Sequence, residues 1–172
     1  MLAVAGGDTA AFEQIVLRHQ DAVWRTAYRM VGDRQSAEDL AQEAFLRVFR
    51  AAARYLPTAP FRTYLYRIVV RACLDHLRKK RPQLGLDHAQ VTEPGLPVEQ
   101  QTEFGERADL VHQAVASLPP KQRSAVVLRY YEGLSTAEIA DVMRTTAKAV
   151  ERLLARGRGA LQERLARMLE DH

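Results

Sequence analysis

An all-α fold of two small helical domains is what this sequence predicts, on three observations. Ala, Leu, Arg, Glu and Gln, all good helix formers, dominate its 172 residues. The one β-branched run, Ile68-Val69-Val70, lies inside a longer helical pattern rather than in an alternating one. A central segment carrying Pro82, Gly85, Pro94, Gly95 and Pro97 sustains neither helix nor strand and reads as a flexible tether.

The helices follow in order. Asp8 is placed to cap the first, after Gly6-Gly7, and Phe12, Ile15, Val16, His19, Val23, Ala27 and Met30 keep a 3.6-residue rhythm along it. Gly32-Asp33 ends that helix. Asp33 or Ser36 caps the next, which runs to about Ala53 with Leu40, Ala44, Phe45 and Val48 for the core. Leu56-Pro57-Thr58-Ala59-Pro60 is a loop. Beyond it Phe61, Leu65, Ile68, Ala72 and Leu77 stripe a third helix that ends in Arg78-Lys79-Lys80-Arg81. After the tether come four segments, at about 104–117, 120–131, 135–143 and 146–169. Pro119-Pro120 opens the second of these, and Gly133 separates it from the third. Ser135-Thr-Ala-Glu138 is a capping-box pattern. The expected domains are therefore residues 1–81 and 104–172, with 82–103 between them.

Composition narrows the function. With 47% hydrophobic and 27% charged residues, the chain has the profile of a soluble folded protein. Cys73 is the sole cysteine, so an intrachain disulfide is impossible. Cys73 and His76 lie one turn apart, but two ligands do not make a metal site, and a buried free thiol is the expectation. No apolar run approaches the ~20 residues of a membrane span. The N-terminus shows neither a basic start nor an apolar signal core, which points to a cytoplasmic protein. No metal or cofactor is expected.

Charge is partitioned along the chain. Residues 1–81 hold 14 basic and 8 acidic side chains, residues 82–105 hold only 4 acidic ones, and the rest hold 11 and 9. The net charge of +4 favours an anionic partner. Against that background, Glu38, Asp39 and Glu43 with Gln42 gather on little more than one helical turn. Either this is a solvated helix face, or it meets a partner different from the one the cations bind.

Two stretches suit nucleic acid. From Leu134 onward the chain has the pattern of a helix-turn-helix: a short helix with Ile139 and Val142 inward, a turn, then a helix with Val150, Leu154 and Leu161 inward. Lys148, Glu151, Arg152 and Ala155 are left on the outward face, where a helix in the major groove meets base edges. Thr145 and Thr146 are placed to cap this helix and, with its free amides, to hold a phosphate; Arg156 and Arg158 suit phosphates further along. An ordinary helical hairpin with a solvated face fits the same pattern. The second stretch is the third helix, where Tyr64, Arg67 and Arg71 lead into Arg78, Lys79 and Lys80. Cations interleaved with aromatics suit single-stranded nucleic acid. Tyr55, Phe61, Tyr64 and Tyr66 flank one Pro-bounded loop, with Phe61 and Tyr66 expected in the core.

Taken together, "AFEQIVLRHQ", "SAEDLAQEAFLRVFRA", "FRTYLYRIVVRACLDHLRKKR" and "VASLPPKQRSAVVLRYYEGLSTAEIADVM", in this order and spacing, resemble a bacterial sigma factor of the extracytoplasmic function (ECF) group. The resemblance covers nearly the whole chain. It implies a region 2 helical bundle over 1–81 and a region 4 helix-turn-helix domain over 104–172. It implies that Asp39, Gln42, Glu43, Leu46, Phe49 and Arg50 face core RNA polymerase, chiefly the β′ coiled coil, with the β subunit also a partner. It further implies that Tyr64, Arg67, Arg71, Arg78, Lys79 and Lys80 meet the −10 element of promoter DNA once it opens, and that the loop at Leu56–Pro60 receives a flipped base. Thr145, Thr146, Lys148, Glu151, Arg152, Ala155 and Arg156 would read the −35 duplex. An anti-sigma factor is implied as a further partner. Such a protein performs no covalent chemistry, which the polymerase supplies.

Some positions depart from the family's pattern: Tyr64 where many members have Trp, Arg71 where Asn is frequent, Arg144 where Gly is frequent, and Glu151 where Lys is common. The nearest competing reading is a free-standing helix-turn-helix repressor, which would need a dimerisation surface and leaves the acidic turn unexplained. A helical RNA-binding protein is a further alternative. A four-helix metal enzyme lacks its Glu-x-x-His pairs.

Overall fold

The computed structural model describes residues 1–80 and 103–170, and their regular structure is helical throughout. The expected tether falls outside the described residues, save for Glu103 at its end. Eight α-helices are described: α1 (Leu2–Ala5), α2 (Thr9–Val31), α3 (Arg34–Arg50), α4 (Phe61–Lys80), α5 (Glu103–Ala116), α6 (Pro120–Val126), α7 (Thr136–Met143) and α8 (Ala147–Glu170).

Local chemistry sets the boundaries. The Asp8 carboxylate accepts from the Ala11 amide at 2.9 Å and starts α2. Gly32 closes α2 in the left-handed region at φ 75°, which a residue without a Cβ adopts at little cost. The alternatives at the start of α3 resolve in favour of Asp33, whose carboxylate accepts from the Ser36 amide and hydroxyl. That helix ends at Arg50, short of the expected Ala53, because the chain tightens into a 3-10 turn over Ala52–Arg54. The capping box at Ser135 and Glu138 forms in both directions.

Two departures from the expected elements stand out. The short α1 carries no long periodic signal, yet it buries Val4 and packs on the 3-10 turn. The helix expected over 120–131 is α-helical only to Val126. Over Val127–Tyr131 it widens into a π segment that ends with Glu132 in a turn before Gly133.

In the first half, α2, α3 and α4 pack on one another around Val23, Ala27, Met30, Ala44, Val48, Leu65, Val69 and Val70, each no more than 1% exposed. Burying a side chain of the larger kind stabilises by about 1.5–3 kcal/mol. Cys73 is buried here as a free thiol, and desolvation pushes it up to about 12. In the second half α8 packs on α5, α6 and α7, with Ile139, Val142, Val150 and Leu154 inward as their spacing predicts; Leu161 is only partly buried. The two halves do not stand apart. Helices α4 and α7 lie against each other, α2 meets α5 and α6, and one apolar cluster runs through both halves.

Candidate nucleic-acid and protein interfaces

Three surfaces carry the candidate residues. On α3, residues at spacings of three and four share a face. Asp39, Gln42, Leu46, Phe49 and Arg50 are exposed and Glu43 is partly exposed. Asp39 accepts from the Gln35 side-chain amide at 3.1 Å, and Glu43 pairs with Arg47 at 2.8 Å. That hydrogen bond from Arg47 holds the Glu43 carboxyl below its usual range, though so exposed a pair adds little stability. One turn on, Leu46 is 46% and Phe49 44% exposed, large apolar groups left facing water. Phe49 leans on Phe12, with ring centroids 4.9 Å apart. The face is acidic at one end and apolar at the other.

On α4, Tyr64, Arg67, Arg71 and Arg78 line one groove of about 1090 Å³, together with Arg47 from α3 and Pro119, Lys121, Val142, Met143 and Arg144 from the second half. Lys79 and Lys80 are exposed beyond it. Tyr64 belongs to an aromatic cluster with Tyr55 and Phe61, at centroid distances of 5.0 and 6.2 Å, and burial raises its hydroxyl. Tyr66 is buried as expected, while Phe61 is only partly so. His19 sits on Phe61 at 5.5 Å. Burial, then the Arg18 and Arg62 charges, lower its pKa. A smaller cavity of about 520 Å³ opens beside these rings, between α1, α2 and Tyr55.

The third surface belongs to α8. The Thr146 hydroxyl accepts from the Ala149 amide at 3.2 Å and caps the helix; Thr145 makes no such bond among those described. Thr145, Thr146, Lys148, Glu151, Arg152, Ala155 and Arg156 are all exposed. Among the described residues none of the seven is held in an ion pair, so Glu151 is not neutralised by Lys148 or Arg152. The guanidinium of Arg158 meets the Tyr130 hydroxyl at 3.4 Å. The turn before the helix does use the left-handed region at Arg144, φ 51°. Gly157 lies on the buried side: a Cβ built there would sit 2.8 Å from Val126 Cγ2, so its bareness lets α8 press against α6.

Sequence reasoning missed a set of residues that join the halves. The Glu132 side chain is 8% exposed, and its carboxylate accepts from the Thr26 hydroxyl of α2 at 2.7 Å and from the Tyr66 hydroxyl of α4. Arg62 lies 3.7 Å from the same carboxylate and donates to the Glu132 carbonyl. Burial first, and the Glu132 hydrogen bond second, push Tyr66 up to about 12. Arg67 donates to Asp141 of α7 at 2.7 Å. Arg123 is buried in α6 and donates to the carbonyls of Met30, Ala116 and Leu118, and desolvation pulls its guanidinium down to about 10. Arg29 stacks over the Tyr131 ring at 4.1 Å, and His112 stacks on Tyr28 at 5.1 Å. Nothing in the local pattern announces these pairs. Glu132 is a lone charge beside a glycine, and Asp141 is one more outward residue on an amphipathic helix.

Comparison with known proteins fits this geometry. Residues 15–83 match the family model for sigma-70 region 2, and residues 108–161 match that for sigma-70 region 4. The chain is 33% identical to the ECF RNA polymerase sigma factor SigW of Bacillus subtilis, over 94% of this chain and 92% of that one. It is 35% identical to the RNA polymerase sigma-H factor of Pseudomonas aeruginosa, over 98% and 93%. Among solved structures, CnrH in complex with the cytosolic domain of CnrY superimposes with a TM-score of 0.71 at 25% identity, covering 95% of this chain and 93% of that one. The sigma factor RpoE of Bartonella quintana, solved with the anti-sigma factor NepR, gives 0.74 at 20% identity over 91% and 97%, a likeness of fold.

Proposed function

This chain belongs to the ECF group of RNA polymerase sigma factors, and we propose that it docks on core polymerase through α3 and brings two DNA-reading surfaces to a promoter. The observation that carries the reading is the α3 face. Leu46 and Phe49 lie exposed directly beyond Asp39, Gln42 and Glu43, which is the make-up of a docking surface and not of a solvated helix. Its acidic end suits a basic partner, the β′ coiled coil, and complementary charge speeds docking and sets its orientation. Arg50 and the β subunit extend the contact.

The rest follows from the two basic surfaces. Helix α8 enters the major groove of the −35 element. Thr145 and Thr146 lie at its phosphate-facing start, Lys148, Glu151, Arg152 and Ala155 face base edges, and Arg156 follows the backbone. Tyr64, Arg67, Arg71, Arg78, Lys79 and Lys80 hold the separated strand of the −10 element by stacking and charge. The aromatic cluster beside Leu56–Pro60 takes an unstacked base, at a cost of a few kcal/mol that favours particular sequences. The protein acts in the cytoplasm as a binding subunit, with no covalent chemistry of its own. An anti-sigma factor is its further partner: the RpoE structure was solved with one.

The test is run-off transcription with core polymerase and promoter fragments. The wild-type chain should start transcripts at defined sites. Asp39→Arg with Glu43→Arg should abolish polymerase binding while helicity is kept, because neither side chain is in the core. No initiation alongside tight duplex binding by the chain alone would replace this reading with the repressor.

A further inference from the structure

The apolar end of the α3 face is held from outside its own helix. Phe49 stands in the last turn of α3, three residues beyond Leu46, and leaves 44% of its surface in water. A ring so exposed lowers its free energy by folding onto nearby apolar surface, and ordering it for a partner costs rotamer freedom at the moment of binding. One contact opposes that drift. The ring of Phe12, from the first turn of α2, meets it at a centroid distance of 4.9 Å and a tilt of 58°, within the separation that favourable aromatic pairs adopt. We infer that Phe12 is a positioning residue for polymerase docking, which fixes Phe49 in its outward place so that the α3 face meets its partner with a pre-set apolar anchor.

Three features support this role over incidental packing. Phe12 is itself fixed: it is partly buried against the core, and its amide donates to the Asp8 carbonyl at 3.4 Å, in the turn that the Asp8 carboxylate caps. The segment before it braces the same end of α3. Helix α1 buries Val4 and packs on the 3-10 turn over Ala52–Arg54, which follows α3 after a single residue. Residues 1–12 therefore touch the end of α3 at two places, the Phe49 ring and the turn behind it. Finally, the pair is asymmetric. Packing for stability alone would withdraw both rings from water, whereas here the inner ring is spent on the outer one and the outer one stays exposed. An interface anchor is most effective when it is held in its bound position before the partner arrives. Phe12 lies upstream of residue 15, where the region 2 match begins, so that match does not account for it.

The inference rests on the docking reading of α3, and the experiment separates the two. Affinity of the full chain for core polymerase is measured by competition with a fluorescently labelled wild-type chain, for Phe12→Ala, Phe49→Ala and the double variant, with Tm and helicity recorded beside it. Phe49→Ala should weaken binding on the order of tenfold or more, as loss of an anchor does. Phe12→Ala should weaken it roughly three- to tenfold in the wild-type background and leave it unchanged in the Phe49→Ala background, because its effect passes through that ring. Phe12→Tyr keeps the ring and should bind as wild type. An unchanged affinity in either single alanine variant, or a loss on Phe12→Ala of equal size in both backgrounds, overturns the inference. If Phe12→Ala costs helicity, Phe12→Leu keeps apolar bulk without the ring, and the same comparison across the two backgrounds decides. A labelled wild-type chain that does not bind core polymerase removes the docking reading itself, whereas wild-type binding with additive losses removes only the role of Phe12.

Discussion

Replacing Gly157 by Ala asks whether α8 is held where it is by one missing methyl group. The added Cβ would lie 2.8 Å from Val126 Cγ2, against about 3.5–4.0 Å for carbons in favourable contact. The gap must open by roughly 1 Å. Val126 is 2% exposed and helical, so its branched side chain has one strongly preferred rotamer and no room to turn aside. Overpacking of this kind costs about 1–3 kcal/mol. Ala is worth about 1 kcal/mol more than Gly inside a helix, which offsets part of the cost. The expected net effect is a loss of up to about 2 kcal/mol, or a fall in Tm of roughly 4–8 °C at the upper end. Denaturant unfolding followed by circular dichroism measures it. Val126→Ala should be costly alone, yet the double variant should lose about 1–2 kcal/mol less than the two single losses combined. A Gly157→Ala chain that gains about 1 kcal/mol, with additive double-variant energies, would show the helix-propensity term acting alone and refute the close approach.

Arg144 holds φ 51° in the turn of the helix-turn-helix, and a side chain there costs about 1–2 kcal/mol, so Arg144→Gly should raise Tm. Arg123→Met removes a guanidinium that serves three carbonyls and should cost about 2–4 kcal/mol, as read by denaturant midpoint; Arg123→Lys should recover little, because an ammonium lacks the planar fork. His112 is stacked on Tyr28, and desolvation lowers its pKa below 6.5, aided by Arg29 and Arg123 and opposed by Asp109. The unfolded chain then binds the proton more readily, so stability should fall as pH drops through 6.5 and below, and His112→Gln should flatten that slope in urea titrations at successive pH values. An equal slope in the variant would assign the acid sensitivity to another group.

The sequence by itself determined the helices, their caps and most of the core, because those depend on neighbours three or four positions away. The rhythm from Phe12 to Met30, the break at Gly32 and the capping box at Ser135 are all legible in that way. It also determined which residues face outward on α3 and α8, since outward is what remains once the apolar stripe is assigned. Only the tertiary structure decided which distant side chains pair across the two halves. Thr26 and Glu132 are 106 residues apart and Arg67 and Asp141 are 74 apart, and no periodicity links residues so distant. Nor could propensity foresee the wide turn after Val126 or the closing of the two halves, which depend on where buried Glu132 and Arg123 find partners. A charged group is read from sequence as a surface feature, because water is its cheapest partner. Here folding supplies hydroxyls, carbonyls and a guanidinium instead, once the two halves are packed together.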